Sequence, residues 1–216
     1  MIEEYSQTDE RVKKYTSPML LNGARAGIKT KNYEQAAEMA MALTKVPDVD
    51  ATVKQEAQLE FGIAKMSLGE NDAAISALED AALNDFVTGA HAKALLGDIR
   101  FKEAVDAAKN GDKETSEKKF TQAINTYTDV YYGYGGKLAG QDVKEWQAYA
   151  SYEAARCHMV QINDADNVDK IILIGNAIDR FDYLLTRFPK DSRAEEARKQ
   201  VSKLQAIKAK LAEKVK

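Results

Sequence analysis

Residues 55–83 read QEAQLEFGIAKMSLGENDAAISALEDAAL, with Gly62, Gly69, Ala74, Leu78 and Ala81 at fixed offsets. Apolar residues recurring at three and four predict two amphipathic helices, and Gly69-Glu70-Asn71 predicts the reversal between them. Gly62, Ala74 and Ala81 are small where the two backbones would approach; a larger side chain there would cost about 1–3 kcal/mol. A helix pair of this kind cannot bury its apolar face alone, so it constrains the chain to a stack of such pairs.

Three further stretches fit the same frame. Ser17-Pro18 predicts a helix start, with an N-cap oxygen followed by a ring that lacks only an unused N–H. A helix from there to Lys29 is followed by Asn32 and Gln35, a capping-box-like restart, and by Tyr33, Ala36, Ala40 and Leu43 on one face up to Pro47. The third stretch is longer: Gly97 and Ala123 lie 26 residues apart, against 12 for Gly62 and Ala74. The inserted EAVDAAKNGDKE is helical in composition up to Asn110-Gly111, which predicts a long hairpin rather than a loop, with Ala123, Ile124, Tyr127 and Val130 in frame. The fourth begins at Asp142 and Glu145, with Ala150 and Ala154 both suited to the small-residue position, and returns through Ala177, Phe181, Leu184 and Pro189. Ser192 with Glu195 then predicts a capping box and a final helix carrying Val201, Leu204, Ile207, Leu211 and Val215 as one apolar stripe.

This frame resembles the tetratricopeptide repeat (TPR). The resemblance covers most of residues 17–204, with two insertions, and implies an all-α, right-handed superhelix of about four TPR-like pairs in a single domain over residues 1–216. The expected parts are a lead-in helix over 1–16, pairs at about 17–47, 52–84, 88–132 and 142–189, and a capping helix over 192–214. The segment FDYLLTRFPKDSRAEEA, residues 181–197, is similar to a junction in bacterial envelope TPR proteins of the Tol-Pal coordinator and outer-membrane assembly lipoprotein type. That similarity implies a periplasmic or envelope location if an export signal has been removed, and a cytoplasmic one otherwise.

Composition narrows the function classes. There is no apolar run long enough to span a bilayer, and the first fifteen residues carry no apolar signal core. A net charge of -3 makes no global case for nucleic acid. The charge is uneven: residues 198–216 carry Arg198 and six lysines against Glu213, a net of +6. Those cations suit either a solvated helix end or contact with an anionic partner or phospholipid.

Residues for catalysis or cofactors are not arranged for it. His91 and His158 are the only histidines, and Cys157 and His158 are adjacent on a helix and diverge. Metal-ligand spacing is missing, and the acidic turn at 163–169 lacks the glycine and distal glutamate of a calcium loop. Tyr131 and Leu138 occupy the places that would make Gly133-Tyr134-Gly135-Gly136-Lys137 a phosphate loop. The expectation is a non-enzymatic chain with no cofactor and no metal.

In the family, the first helices of successive pairs line a concave groove. The positions this implies are Leu21, Arg25, Ile28 and Lys29; then Glu56, Leu59, Ile63 and Met66; then His91, Ala94, Asp98 and Phe101. The leading candidates are Arg25, Lys29, Leu59, Ile63, Met66 and Asp98, an apolar middle with charged edges that suits a peptide or helix segment. Apolar members of the set are equally consistent with core. The carboxylate clamp of chaperone-binding TPR proteins is not matched, because Leu21, Arg25, Glu60, His91 and Leu95 stand at its places. A second candidate surface is aromatic: Tyr131, Tyr132 and Tyr134, with Trp146 on the next helix, either a hot spot or packing between pairs. The expected function is a protein-interaction scaffold or adaptor whose partner is another protein, with self-association a further expectation. The reading of another class is a small-ligand receptor or enzyme using the Tyr-Gly segment 127–137.

Overall fold

A computed structural model describes residues 10–134 and 140–214. Among them the fold is all-α, with nine α-helices, each packed against its neighbours in the chain. Contacts divide the chain into two compact units, Met1–Leu95 and Leu96–Lys216.

The N-terminal unit contains α1 (Glu10–Lys29), α2 (Tyr33–Thr44), α3 (Ala51–Ser67) and α4 (Asn71–Ala81), and α5 (Val87–Lys109) begins in it. Helix α1 runs through Pro18 without a break, so the expected start at Ser17-Pro18 is corrected. The Pro18 ring is exposed, and helix continues on both sides of it. Alanine and glycine set the spacing of this unit. A Cβ on Gly27 would lie 2.9 Å from the Ala36 Cβ, and one on Gly62 would lie 2.6 Å from Leu78 Cγ. Leu21, Leu43 and Ala57 form one core cluster, and Ala36, Ala37 and Ala64 another, flanked by Ile28, Tyr33 and Phe61. Asp50 caps α3 by accepting from Thr52 N at 2.7 Å, satisfying one of the orphan amides of the first turn.

The C-terminal unit contains the rest of α5, then α6 (Lys113–Gly133), α7 (Gln141–Gln161), a 3-10 turn (Ile162–Asp164), α8 (Asn167–Arg187) and α9 (Ala194–Lys214). The inserted segment is helix on both sides of a tight turn at Asn110–Asp112. Gly111 takes φ +79° there, and Asp112 caps α6 through Thr115 N at 3.1 Å. Lys119 with Glu103 at 2.6 Å, Arg100 with Thr126, and the Phe101–Phe120 ring pair clasp the two arms. The core of α7, α8 and α9 is Ala155, Ile174, Ala177, Phe181 and Leu184 against Ala194, Ala197, Val201 and Leu204. Both Ala150 and Ala154 are fully buried, and Ser151 between them donates to Arg180 O at 2.7 Å. Two details of α9 differ from expectation. Asp191, not Ser192, accepts from an amide at its start, that of Arg193 at 2.9 Å, while Glu195 pairs with Lys199 at 2.9 Å. Ile207 is 45% exposed and leaves the apolar stripe, because Leu204 and Leu211, seven residues apart, hold one face of the helix on the core and 207 is rotated off that face. Val215 lies outside the described residues.

Candidate functional site

In the N-terminal unit the expected groove residues have separate roles. Arg25 Nε donates to Glu60 Oε1 at 2.9 Å and Nη2 to Glu56 Oε2 at 3.1 Å. Burial raises the Glu60 carboxyl above its ordinary value even though Arg25 pulls the other way. Arg25 is therefore already neutralised by its own chain. Lys29 is exposed, Ile63 and Met66 are half-buried, and Leu59 is buried, so Leu59 supports the unit rather than offering surface.

The densest polar arrangement is in the C-terminal unit, around Asp98. Tyr127 Oη donates to Asp98 Oδ1 at 2.6 Å, and Tyr149 Oη lies 2.8 and 2.9 Å from the two carboxylate oxygens. Gly97 makes room for this: the Tyr127 ring lies where a Cβ at 97 would stand, so the hydroxyl reaches the next residue along the same helix. Burial pushes the Asp98 carboxyl up to about 6, opposed by the two hydroxyls. Nearby Glu153 pushes the same way as burial, and Arg156 the other. Burial likewise raises both tyrosine hydroxyls well above the usual phenol range, with the Asp98 charge adding to it. Both stay protonated and act as donors.

Around this centre, aromatic faces alternate with arginines. Arg156 Nη1 holds the buried Glu153 carboxylate at 2.7 and 3.0 Å, while its guanidinium lies over the Phe101 ring at 5.6 Å. Arg193 pairs with Asp191 and lies over the Tyr149 ring at 5.2 Å. Trp146 meets Tyr149 edge-on, 5.6 Å between centroids. The Arg156 side chain keeps 47% of its surface exposed. The patch is thus a set of packed rings and two guanidinium groups, each guanidinium paired with a carboxylate. It can take a polar or aromatic side chain with little ordering cost of its own.

The second aromatic surface divides. Tyr131 is buried, so the expectation that it offers contact surface is corrected: its ring lies 4.5 Å from Tyr132 and 5.0 Å from Tyr183, and its carbonyl accepts from Tyr183 Oη. Tyr132 is exposed, and the Tyr134 carbonyl accepts from Gln147 Nε2 at 2.8 Å. Trp146 belongs with Tyr149 and Asp98. Residues 135–137 of the Tyr-Gly segment lie outside the described residues.

Histidine and cysteine are held by burial. The Cys157 thiol is pushed up, away from thiolate character, and both imidazoles are pushed down to about 4. His158 Nδ1 and Arg180 Nε are buried with no hydrogen-bond partner among the described residues. In the acidic turn, Asp166 caps α8 by accepting from Val168 N and Asp169 N at 2.8 and 2.9 Å.

Asp98 is among the groove positions expected from the sequence, whereas Tyr149, Glu153, Arg156 and Arg193 are not. Residues 149, 153 and 156 share one helix face by spacing alone. Nothing in that spacing says that a carboxylate 51 residues away completes it. No protein-family model matches the sequence, and no curated protein matches it.

Proposed function

We propose that this chain is a non-enzymatic, TPR-type interaction scaffold, with right-handed stacking of its helix pairs, and that a peptide or helical segment of another protein is its ligand. The observation that carries the reading is the Asp98–Tyr149–Arg156 patch. It draws on the first helices of two successive pairs, as the frame of small residues requires, and presents tyrosine, tryptophan and arginine, the residues that dominate binding hot spots. Within the N-terminal unit, taken by itself, Lys29, Ile63 and Met66 offer a second docking face, with Arg25 as its braced edge. The segment Phe181–Ala197 argues for a bacterial envelope assembly role for the scaffold.

The test is selection of binding peptides from a displayed library against the full chain, followed by titration of a selected peptide. Trp146→Ala and Arg156→Ala should each weaken it by tenfold or more, about 1.4 kcal/mol, with helicity unchanged. Binding that survives both changes but is lost in Ile63→Asp moves the site to the N-terminal unit. Failure to select any peptide counts against the scaffold reading itself.

A further inference from the structure

On the N-terminal unit, α2 and α3 enclose a depression of about 420 Å³. Met41, Phe61 and Leu68 line it as half-buried apolar side chains, and α2 adds Glu34 and Glu38, one turn apart and both exposed. The one cation at the edge, Lys65, is paired with Glu70 at 2.6 Å. Glu34 and Glu38 have no partner among the described residues, and two like charges at this spacing repel. The depression is therefore lined by apolar side chains and by two exposed carboxylates that have no counter-charge among the described residues.

The outer face of α9 has the opposite character. Ile207 stands exposed, with Lys203 one turn before it and Lys210 one turn after, and Lys214 continues the row. These lysines have no acidic partner among the described residues, whereas Lys199 is held by Glu195. The asymmetry extends to the halves of the chain. Residues 1–95 hold 10 basic and 15 acidic side chains, a net of -5, and residues 96–216 hold 21 and 19, a net of +2.

We propose that the occupant of the depression is α9 of a second copy of this chain, with Ile207 entering over Phe61 and Met41 and Lys203 and Lys210 facing Glu34 and Glu38. Apolar burial by one side chain is small, so the lysine–glutamate pairs select the partner and set the rate of encounter. The contact is heterologous: the depression of one copy takes the helix of the next. It therefore propagates into open chains unless the rotation closes a ring. Charge pairs exposed at such a rim are screened by salt, which makes the assembly salt-sensitive.

Sedimentation velocity on the full chain tests this. At low salt the weight-average mass should rise with protein concentration and fall back toward the monomer when salt is raised. The double variants E34K/E38K and K203E/K210E should each stay monomeric, with circular dichroism unchanged because all four side chains are exposed. Mixing these two variants should restore association, since each then offers the other a complementary depression and helix. I207D should lose association without losing helicity. A wild type that stays monomeric at all concentrations at low salt overturns the proposal. So does association that both charge variants retain, or a mixture that fails to associate. Binding of wild-type chain to vesicles of anionic phospholipid, lost in K203E/K210E but without self-association in their absence, would assign the lysine row to a lipid surface instead.

Discussion

The Tyr149 hydroxyl lies within 2.9 Å of both carboxylate oxygens of Asp98, tying α7 to α5 across 51 residues of sequence. Tyr127 approaches the same carboxylate from α6 at 2.6 Å, so one acidic side chain joins three helices. A buried carboxylate without donors would be strongly unfavourable; with two it becomes a specific junction.

Removing either hydroxyl leaves Asp98 under-satisfied. Tyr127→Phe and Tyr149→Phe should each destabilise the chain by about 1.5–3 kcal/mol, the range for hydrogen bonds to charged groups. Urea denaturation of the two single variants and the double variant checks this. The double should cost more than the sum if, in each single variant, the remaining hydroxyl compensates for the lost one.

The same junction gives a pH signature. The folded Asp98 carboxyl lies at about 6 against an ordinary 3.8, so folding binds a proton there. Its contribution is fully present below 3.8 and is lost as pH rises through about 6. Relative to Asp98→Asn, the wild type should therefore gain stability as pH falls from 7 toward 4. His158 has the opposite sign: it is depressed from 6.5 to about 4, so its contribution is present above 6.5 and lost as pH falls through 4. Relative to His158→Gln, the wild type should lose stability over that window. Melting curves of the three proteins between pH 4 and 7 separate the two groups.

Close helix crossings make the glycines unequal. Gly62→Ala would press a methyl against Leu78, and Gly97→Ala would press one against the Tyr127 ring. Each should cost about 1–3 kcal/mol, with Gly97→Ala at the upper end because moving Tyr127 also strains its bond to Asp98. Ala51→Leu, exposed at the start of α3, is the control and should change the melting temperature little.

At the hairpin tip the conformation, rather than the space, decides. A Cβ on Gly111 meets nothing within 4 Å, yet φ is +79°. Gly111→Ala should destabilise by about 1–2 kcal/mol. Gly133, which meets nothing within 4 Å among the described residues and has no positive φ, should accept alanine with no loss. Chemical denaturation of both variants distinguishes strain from crowding.

Which residues form helices, and where the chain reverses, was legible in the sequence because those signals are local. The offsets around Gly62, Ala74 and Ala81 are set by helical periodicity, and the Asn110-Gly111 break by the one residue type that takes a positive φ cheaply. The long third hairpin follows from those two facts alone. Several expectations failed where a local signal competed with packing or with a better neighbour. Ser17-Pro18 reads as a start, but helix forms on both sides of it. Ser192 reads as a cap, but the Asp191 carboxylate takes the amide. Ile207 reads as core by spacing, yet α9 has turned it to solvent. Tyr131 reads either as contact surface or as packing, and its burial against Tyr132 and Tyr183 is packing. What only the tertiary structure decided is which charges meet: Asp98 with Tyr149, Arg25 with Glu60, and Arg156 across to the Phe101 ring. These pairings depend on how whole helices rest on one another. Periodicity places a side chain on a face of its own helix, but the partner on that face comes from a helix dozens of residues away, whose distance and angle are set by small side chains at the crossings.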